Sequence, residues 1–486
     1  MALCKIVIKD EVNAKLEGLG LADRKTLVNK FKFEIPGARY QPSVRLGRWD
    51  GKVSFFQIGG STYINLLSEI LPYLESEGYD IEVEDNREYT TVFEFDQVKE
   101  DLFAGYTWPK GHPRVGEPIL LRDYQIPLVN NFLQNPQSVQ EIATGAGKTL
   151  MTAALSHSIE KYGRSIVIVP NKSLVTQTES DYSNVGLDVG VYFGDRKEYN
   201  RQHTICTWQS LNNLLKDTQN GEAEITIGEF IEGVVCVIVD EVHQAKADAL
   251  KSLLTGIFAR VPIRWGLTGT IPKEEYAYQA IYCSLGGLVG KLAAKDLQDA
   301  GHLAQCHVNV LQLVDYVEYK NYQSELKYLV ENEDRLKYLS RRILEINESG
   351  NTLVLVDRVL CGKRLTELLG DRAVFVSGAT KAATRKEEYD EVAVSDDKII
   401  VATYGVASVG INIPRIFNLV LLEPGKSFTR VIQSIGRGIR KAEDKDFVLI
   451  WDITSTCRFS KRHLTKRKTF YNEAHYPFTV KKEEWQ

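Results

Sequence analysis

Lys148 stands in the stretch A-T-G-A-G-K-T, residues 143–149, where glycines at 145 and 147 remove side chains that would hold backbone amides away from an anion. Thr144, Gly145, Ala146 and Gly147 are expected to cradle phosphate oxygens, Lys148 to reach the β and γ phosphates, and the Thr149 hydroxyl to ligate magnesium. Ile142 occupies the place of the leading glycine of the full phosphate-loop pattern, so the match is to the shorter core, which a glycine-rich turn with a surface lysine also satisfies. A second pair of residues narrows the choice. Asp240 and Glu241 close the apolar run V-V-C-V-I-V-D-E, the place where an open α/β sheet presents ligand groups at its carboxyl edge. Asp240 is expected to hold Mg2+, and Glu241 to orient and deprotonate an attacking water. Together these residues describe hydrolysis of a nucleoside triphosphate.

Such groups need a scaffold. From about residue 116 onward, short β-branched runs (S-I-V-I-V-P, T-I-C-T-W, I-R-W-G-L-T-G-T, then T-L-V-L-V-D, R-A-V-F-V-S, K-I-I-V-A-T, N-L-V-L-L-E-P, F-V-L-I-W-D-I) alternate with amphipathic segments. That alternation predicts parallel βαβ sheets covered on both faces. The runs fall into two groups separated by residues 275–350, which read as helical and charged, so the class is α/β with two sheet domains in tandem. Residues 1–105, with mixed short strands and helices, predict a small α+β domain in front. The 486 residues agree with about three domains.

Lys plus Arg number 60 against 64 Asp plus Glu, a formal net charge of -4, so any polyanion-binding surface must be local. The seven cysteines are scattered, without a C-x-x-C pair, which predicts buried thiols in a reducing cytoplasm and neither disulfides nor a zinc site. No apolar stretch suits a secretion signal or a membrane span, and the expected setting is cytoplasmic.

The stretches A-T-G-A-G-K-T, D-E-V-H (240–243), G-L-T-G-T (266–270) and Q-S-I-G-R-G-I-R (433–440) occur in order with L-R-D-Y-Q (121–125), V-P-N-K-S-L-V-T-Q (169–177), C-T-W-Q-S (206–210), T-L-V-L-V-D-R-V (352–359) and V-A-T-Y-G-V-A-S-V-G-I-N-I-P (401–414). This series resembles the superfamily 2 helicases and translocases of the DEAH-like branch. The resemblance implies two tandem RecA-like domains, 106–290 carrying ATP and 291–486 following it, behind an accessory domain at 1–105. It implies that Gln125 pairs with the adenine edge and so selects ATP, with Arg122 or Tyr124 packing on the base. Gln433, Arg437 and Arg440 would face the γ-phosphate from the second domain, where such arginines contribute on the order of 10³–10⁵ in rate. Thr207, Gln209 and Thr403 would belong to a floor that tracks a nucleic-acid backbone. Asn412 stands where many relatives carry Asp, a departure at the coupling contact.

In front of this core, Y-Q-P-S-V-R-L-G-R-W-D-G (40–51) reads as part of a hairpin turning at D-G, with Arg39, Arg45, Arg48 and Lys52 interleaved with Tyr40, Trp49 and Phe55. That stretch before a compact core looks like the phage UvsW type of branch-migration helicase, and implies DNA contacts at Arg39, Arg45, Arg48, Trp49 and Lys52. The run K-R-H-L-T-K-R-K (461–468) reads either as part of a duplex path or as a solvated tail. The reading that results is an ATP-dependent DNA helicase acting on branched or forked DNA in replication, recombination and repair, monomeric when isolated. The motor of a restriction system, an RNA helicase and an ATP-switched DNA clamp are the alternatives.

Overall fold

The computed structural model describes residues 2–89, 92–110, 112, 114–244, 247–378, 380, 388–389, 391–392, 395–406, 415–426, 435–436 and 444–485. The chain divides into two compact units, Met1–Ile142 with Lys148–Lys291, and Ala143–Gly147 with Leu292–Gln486.

In the first unit, an eight-stranded sheet runs in the spatial order Arg196–Lys197, Val189–Phe193, His203–Thr207, Arg164–Val169, Val234–Asp240, Ile263–Thr268, Gln137–Ile142, Gly287–Leu292. From Val189–Phe193 to Gln137–Ile142 all neighbours are parallel, as β-branched runs buried on both faces require. The central strands carry Ile166, Val237 and Val239 in a core closed by helices such as Trp208–Asn220 and Ala247–Thr255, while Trp265 is buried against Phe132 and Phe95. Gly266 lies mid-strand because a Cβ there would meet Leu285, Val242 and Val139 at 2.9–3.1 Å.

The leading residues of the same unit form a four-stranded sheet in the order Ser61–Tyr63, Asn13–Glu17, Ala2–Ile8, Tyr79–Asp85. Helices Leu21–Lys30 and Leu67–Ser76 cover it, and the core they close takes in Tyr276, Ala280 and Cys283 from the helix Glu275–Leu285. Lys251 is clamped there: its Nζ lies 4.1 Å from the ring centroid of Phe55, 5.6 Å from that of Tyr63 and 5.9 Å from that of Tyr276.

In the second unit, seven described strands are parallel throughout, in the order Ala373–Val376, Ile399–Thr403, Thr352–Val356, Asn418–Leu422, Phe447–Ser455, Gln305–Val314, Phe478–Glu484.

Two local expectations are corrected. The 275–350 interval is not only helical: it holds the strands Gly287–Leu292 and Gln305–Val314, the latter an interior strand. The strand Gln137–Ile142 leads into the phosphate loop. The D-G pair is not a hairpin tip, since Lys32–Glu34 pairs with Lys52–Ser54 across a long connection that contains the short helical turns Ala38–Tyr40 and Pro42–Arg45. All seven cysteines are free and buried, as expected. Among the described residues no helix is long and apolar enough to cross a membrane.

Candidate functional site

The helix Lys148–Ile159 starts directly after Gly145 and Gly147, whose φ values of 91° and 77° only glycine adopts without strain. Lys148 extends its Nζ to 2.7 Å from Glu241 Oε1, and both side chains are almost withdrawn from solvent, at 10% and 11% exposure. Glu241 reaches this position from the end of the strand Val234–Asp240 through a left-handed backbone, φ 52°, unusual for a residue with a Cβ. The turn is held by the Glu241 amide, which donates to Asp240 Oδ1 at 2.9 Å. On its other oxygen, Glu241 accepts the Gly269 amide at 3.3 Å and lies 3.5 Å from His243 Nδ1.

His243 Nδ1 is also 2.5 Å from Thr268 Oγ1, which donates to the Thr270 carbonyl at 2.8 Å. With that hydroxyl proton engaged, the imidazole carries its own proton on Nδ1, facing Thr268 and Glu241. Sequence reasoning named D-E-V-H and G-L-T-G-T without seeing that His243, Thr268 and Gly269 would meet Glu241; the adjacent ends of two neighbouring parallel strands were the available signal.

The electrostatics divide the two carboxylates. Burial and the adjacent Glu241 charge push Asp240 up to about 6. Burial also opposes ionisation of Glu241, but the Lys148 ammonium, His243 and two hydrogen bonds outweigh it and hold Glu241 low, at about 2. Burial lowers His243, which favours its neutral form. Two neighbouring carboxylates thus lie beside one ammonium, and the Asp240 carboxylate and the hydroxyl of Thr149, the residue after Lys148, are hard oxygen donors of the kind Mg2+ takes. A Lys148 ammonium held by a carboxylate is equally suited to exchange that partner for phosphate oxygens, which fits ATP.

The remaining predicted residues fall as follows. Gln125 is buried and its Oε1 accepts the Arg122 amide at 2.9 Å, while Arg122 Nη1 donates to the Tyr124 hydroxyl at 2.8 Å, so these three bond among themselves. Thr207 is buried and caps the helix Trp208–Asn220 by accepting the Ser210 amide, whereas Gln209 is exposed. Thr403 ends its strand half-buried. Arg39, Arg45, Arg48 and Lys52 are exposed, and Trp49 Nε1 donates to the Lys52 carbonyl at 2.9 Å. Gln433, Arg437, Arg440 and Asn412 lie outside the described residues.

Residues 118–273 match the family described as "Type III restriction enzyme, res subunit", and residues 334–442 match the "Helicase conserved C-terminal domain". The chain is 23% identical to the ATP-dependent DNA helicase uvsW of Enterobacteria phage T4 over 90% of this chain and 88% of that protein. It is 24% identical to the DNA 3'-5' helicase XPB of Mycobacterium tuberculosis over 79% of this chain and 69% of that one. The Mycobacterium smegmatis helicase Lhr, solved with single-stranded DNA and AMP-PNP, shares the fold with a TM-score of 0.52 at 17% identity, over 73% of this chain and 48% of that one. Two helicase-type domains in this order, together with the phage likeness, identify the chain as a superfamily 2 helicase resembling the UvsW type.

Proposed function

We propose that this protein is an ATP-driven DNA helicase that remodels branched or forked DNA, by branch migration of four-way junctions, fork regression and displacement-loop unwinding, in replication, recombination and repair. The observation that carries the reading is the buried Lys148–Glu241 pair, with Gly269 and His243 on the second carboxylate oxygen. In this reading Lys148 binds the β and γ phosphates, Thr149 and Asp240 hold Mg2+, and Glu241 orients and deprotonates the attacking water once Lys148 has left it. Gln125 selects adenine, and Gln433, Arg437 and Arg440 complete the γ-phosphate contacts. The division of labour follows residues 1–105 for DNA contacts, 106–290 for ATP and 291–486 for the second half of the motor. The preference for branched DNA rests on the 40–51 stretch and on the likeness to the phage helicase along most of the chain. The isolated protein is a monomer, and its setting is the cytoplasm.

The test is steady-state ATP hydrolysis with Mg2+ in the presence of single-stranded DNA, linear duplex, a four-way junction or RNA, with Lys148→Ala as the blank. Stimulation by DNA, strongest with the junction, is expected. Stimulation by RNA alone would replace the reading with an RNA helicase, and no stimulation with intact binding would favour a switch.

A further inference from the structure

The basic run at 461–468 belongs to the helix Arg458–Glu473, which begins where the strand Phe447–Ser455 ends, at the carboxyl edge of the seven-stranded sheet. That edge is where parallel sheets present ligand-binding groups. The helix packs Ser460, Leu464, Arg467 and Tyr471 inward. Arg467 is fully engaged, with Nε and Nη2 donating to the two Asp452 oxygens at 2.8 and 2.9 Å.

The outward face is different. Arg458, Lys461, Arg462, Thr465, Lys466 and Thr469 are all exposed and recur at steps of three and four, so they form one stripe. Elsewhere in this unit several helical cations have acidic neighbours, since Arg364 bonds Glu333 and Glu367, Arg342 bonds Glu345, and Lys295 bonds Asp299 at 2.6 Å, whereas the exposed Lys327, Arg341 and Lys363 form no ion pair among the described residues. Among the described residues, the side chains of Arg458, Lys461, Arg462 and Lys466 have no carboxylate partner. Arg458 lies only over its neighbour Phe459, 5.7 Å from the ring centroid. His463, half-buried on the same helix, is pushed down to about 4 by burial and by Arg467, Lys426 and Lys466, a mark of the positive field there.

The helix amino terminus is not itself the anion site, since Glu325 already accepts the Phe459 and Ser460 amides at 3.0 and 2.7 Å. Beside this first turn opens a depression of about 630 Å³, lined by Arg458, Lys461, Arg462 and Thr465 on one side and by Tyr316 and Glu318 on the other.

Resting on the reading of this protein as a nucleic-acid motor, we infer that the Arg458–Lys466 face is a second nucleic-acid contact that grips the phosphate backbone of duplex DNA, independently of the helicase motif residues. The cations from Arg458 to Lys466 span about 12 Å of helix axis, enough to reach between the phosphate rows that flank a major groove roughly 12 Å wide. No residue of the exposed stripe is aromatic, and the exposed ring beside it, Tyr316, is tethered through its hydroxyl to Glu484 at 2.9 Å, which favours duplex over single strand.

The experiment is fluorescence anisotropy of a labelled blunt linear DNA duplex, and of one of its strands alone, across a salt series with the wild type and Lys461→Glu/Arg462→Glu/Lys466→Glu. Duplex affinity is expected to fall at least about tenfold, and the slope of log affinity against log salt to become shallower by about 3, at roughly 0.9 for each of three lost phosphate contacts. The milder Lys461→Gln/Arg462→Gln should move both in the same direction, and thermal unfolding verifies that each variant folds. Unchanged duplex affinity and slope would overturn the inference, as would a loss confined to the single strand. An equal fall in Lys295→Glu/Lys337→Glu, which carries charge changes on other helices, would assign the effect to net charge and overturn it too. A wild type that binds neither duplex nor single strand would instead defeat the DNA-helicase reading on which the inference rests.

Discussion

Lys148 Nζ lies 2.7 Å from Glu241 Oε1, so the lysine expected to bind phosphate and the carboxylate expected to activate water are each other's partner. The pair keeps an ammonium and a carboxylate satisfied where neither would tolerate burial alone. On the proposed reading, nucleotide entry exchanges one anion for another at Lys148 and frees Glu241 for proton transfer.

Lys148→Ala and Glu241→Gln should both lower ATP turnover by at least on the order of 10²-fold, but for different reasons. Removing Lys148 removes phosphate affinity, whereas Glu241→Gln removes the competing anion and leaves nucleotide binding intact or tighter. Titration with a fluorescent ATP analogue separates them, and equal loss of binding in both variants would contradict the exchange.

Arg45→Ala/Arg48→Ala should weaken DNA binding and flatten its salt dependence by about 2 in slope. Both arginines are exposed on the long connection before Lys52–Ser54, with no ion pair among the described residues. Identical salt series for variant and wild type would return this loop to the role of a solvated surface.

Lys251→Met should destabilise the first unit by about 1–2 kcal/mol through loss of the cation over Phe55, Tyr63 and Tyr276. Lys251→Arg should keep most of that stability. Denaturant unfolding of the full chain measures both, and equal midpoints for Met and wild type would show that the rings need no cation.

Arg467→Met should cost about 3–5 kcal/mol, because it leaves Asp452 buried with only the Tyr471 hydroxyl at 2.7 Å. Asp452→Asn/Arg467→Met should recover part of the loss, since it removes the stranded charge as well. Denaturant unfolding in which the double variant is the less stable would argue against a buried pair.

Glu423 is pushed up to about 7 by its burial, against the pull of Arg335, whose Nη2 lies 2.9 Å away, and of Arg467, while Asp315 reinforces the rise. A carboxyl raised in the folded state contributes stability that is complete below its ordinary pKa of 4.5 and is lost as pH rises through about 7. Unfolding measured from pH 5 to 8 should show that decline in the wild type and a flatter profile in Glu423→Gln. Parallel profiles would remove Glu423 as its source.

Local pattern carries far in this protein. The parallel-sheet class was legible because strands buried on both faces, such as V-V-C-V-I-V-D and I-I-V-A-T, are continuous apolar runs whatever they pair with. The phosphate loop was legible because glycines at 145 and 147 answer a backbone requirement within the loop itself. Strands without such runs escaped notice. Gln305–Val314 alternates His307 and Asn309 with buried Cys306, Val308 and Val310, and Phe478–Glu484 is a charged edge strand exposed along most of its length. The 40–51 stretch misled because D-G marks a turn equally well inside a longer connection.

The sequence by itself determined which residues could do phosphate chemistry and the kind of sheet that would carry them, since both depend on neighbours in the chain. Only the tertiary structure decided that Lys148 meets Glu241 across 93 residues, that His243 faces Thr268, that three rings close on Lys251, and that Arg467 turns inward while Lys466 stays in water. Those pairings depend on strand order and helix rotation, which come from the packing of distant segments and leave no periodic mark in any one of them.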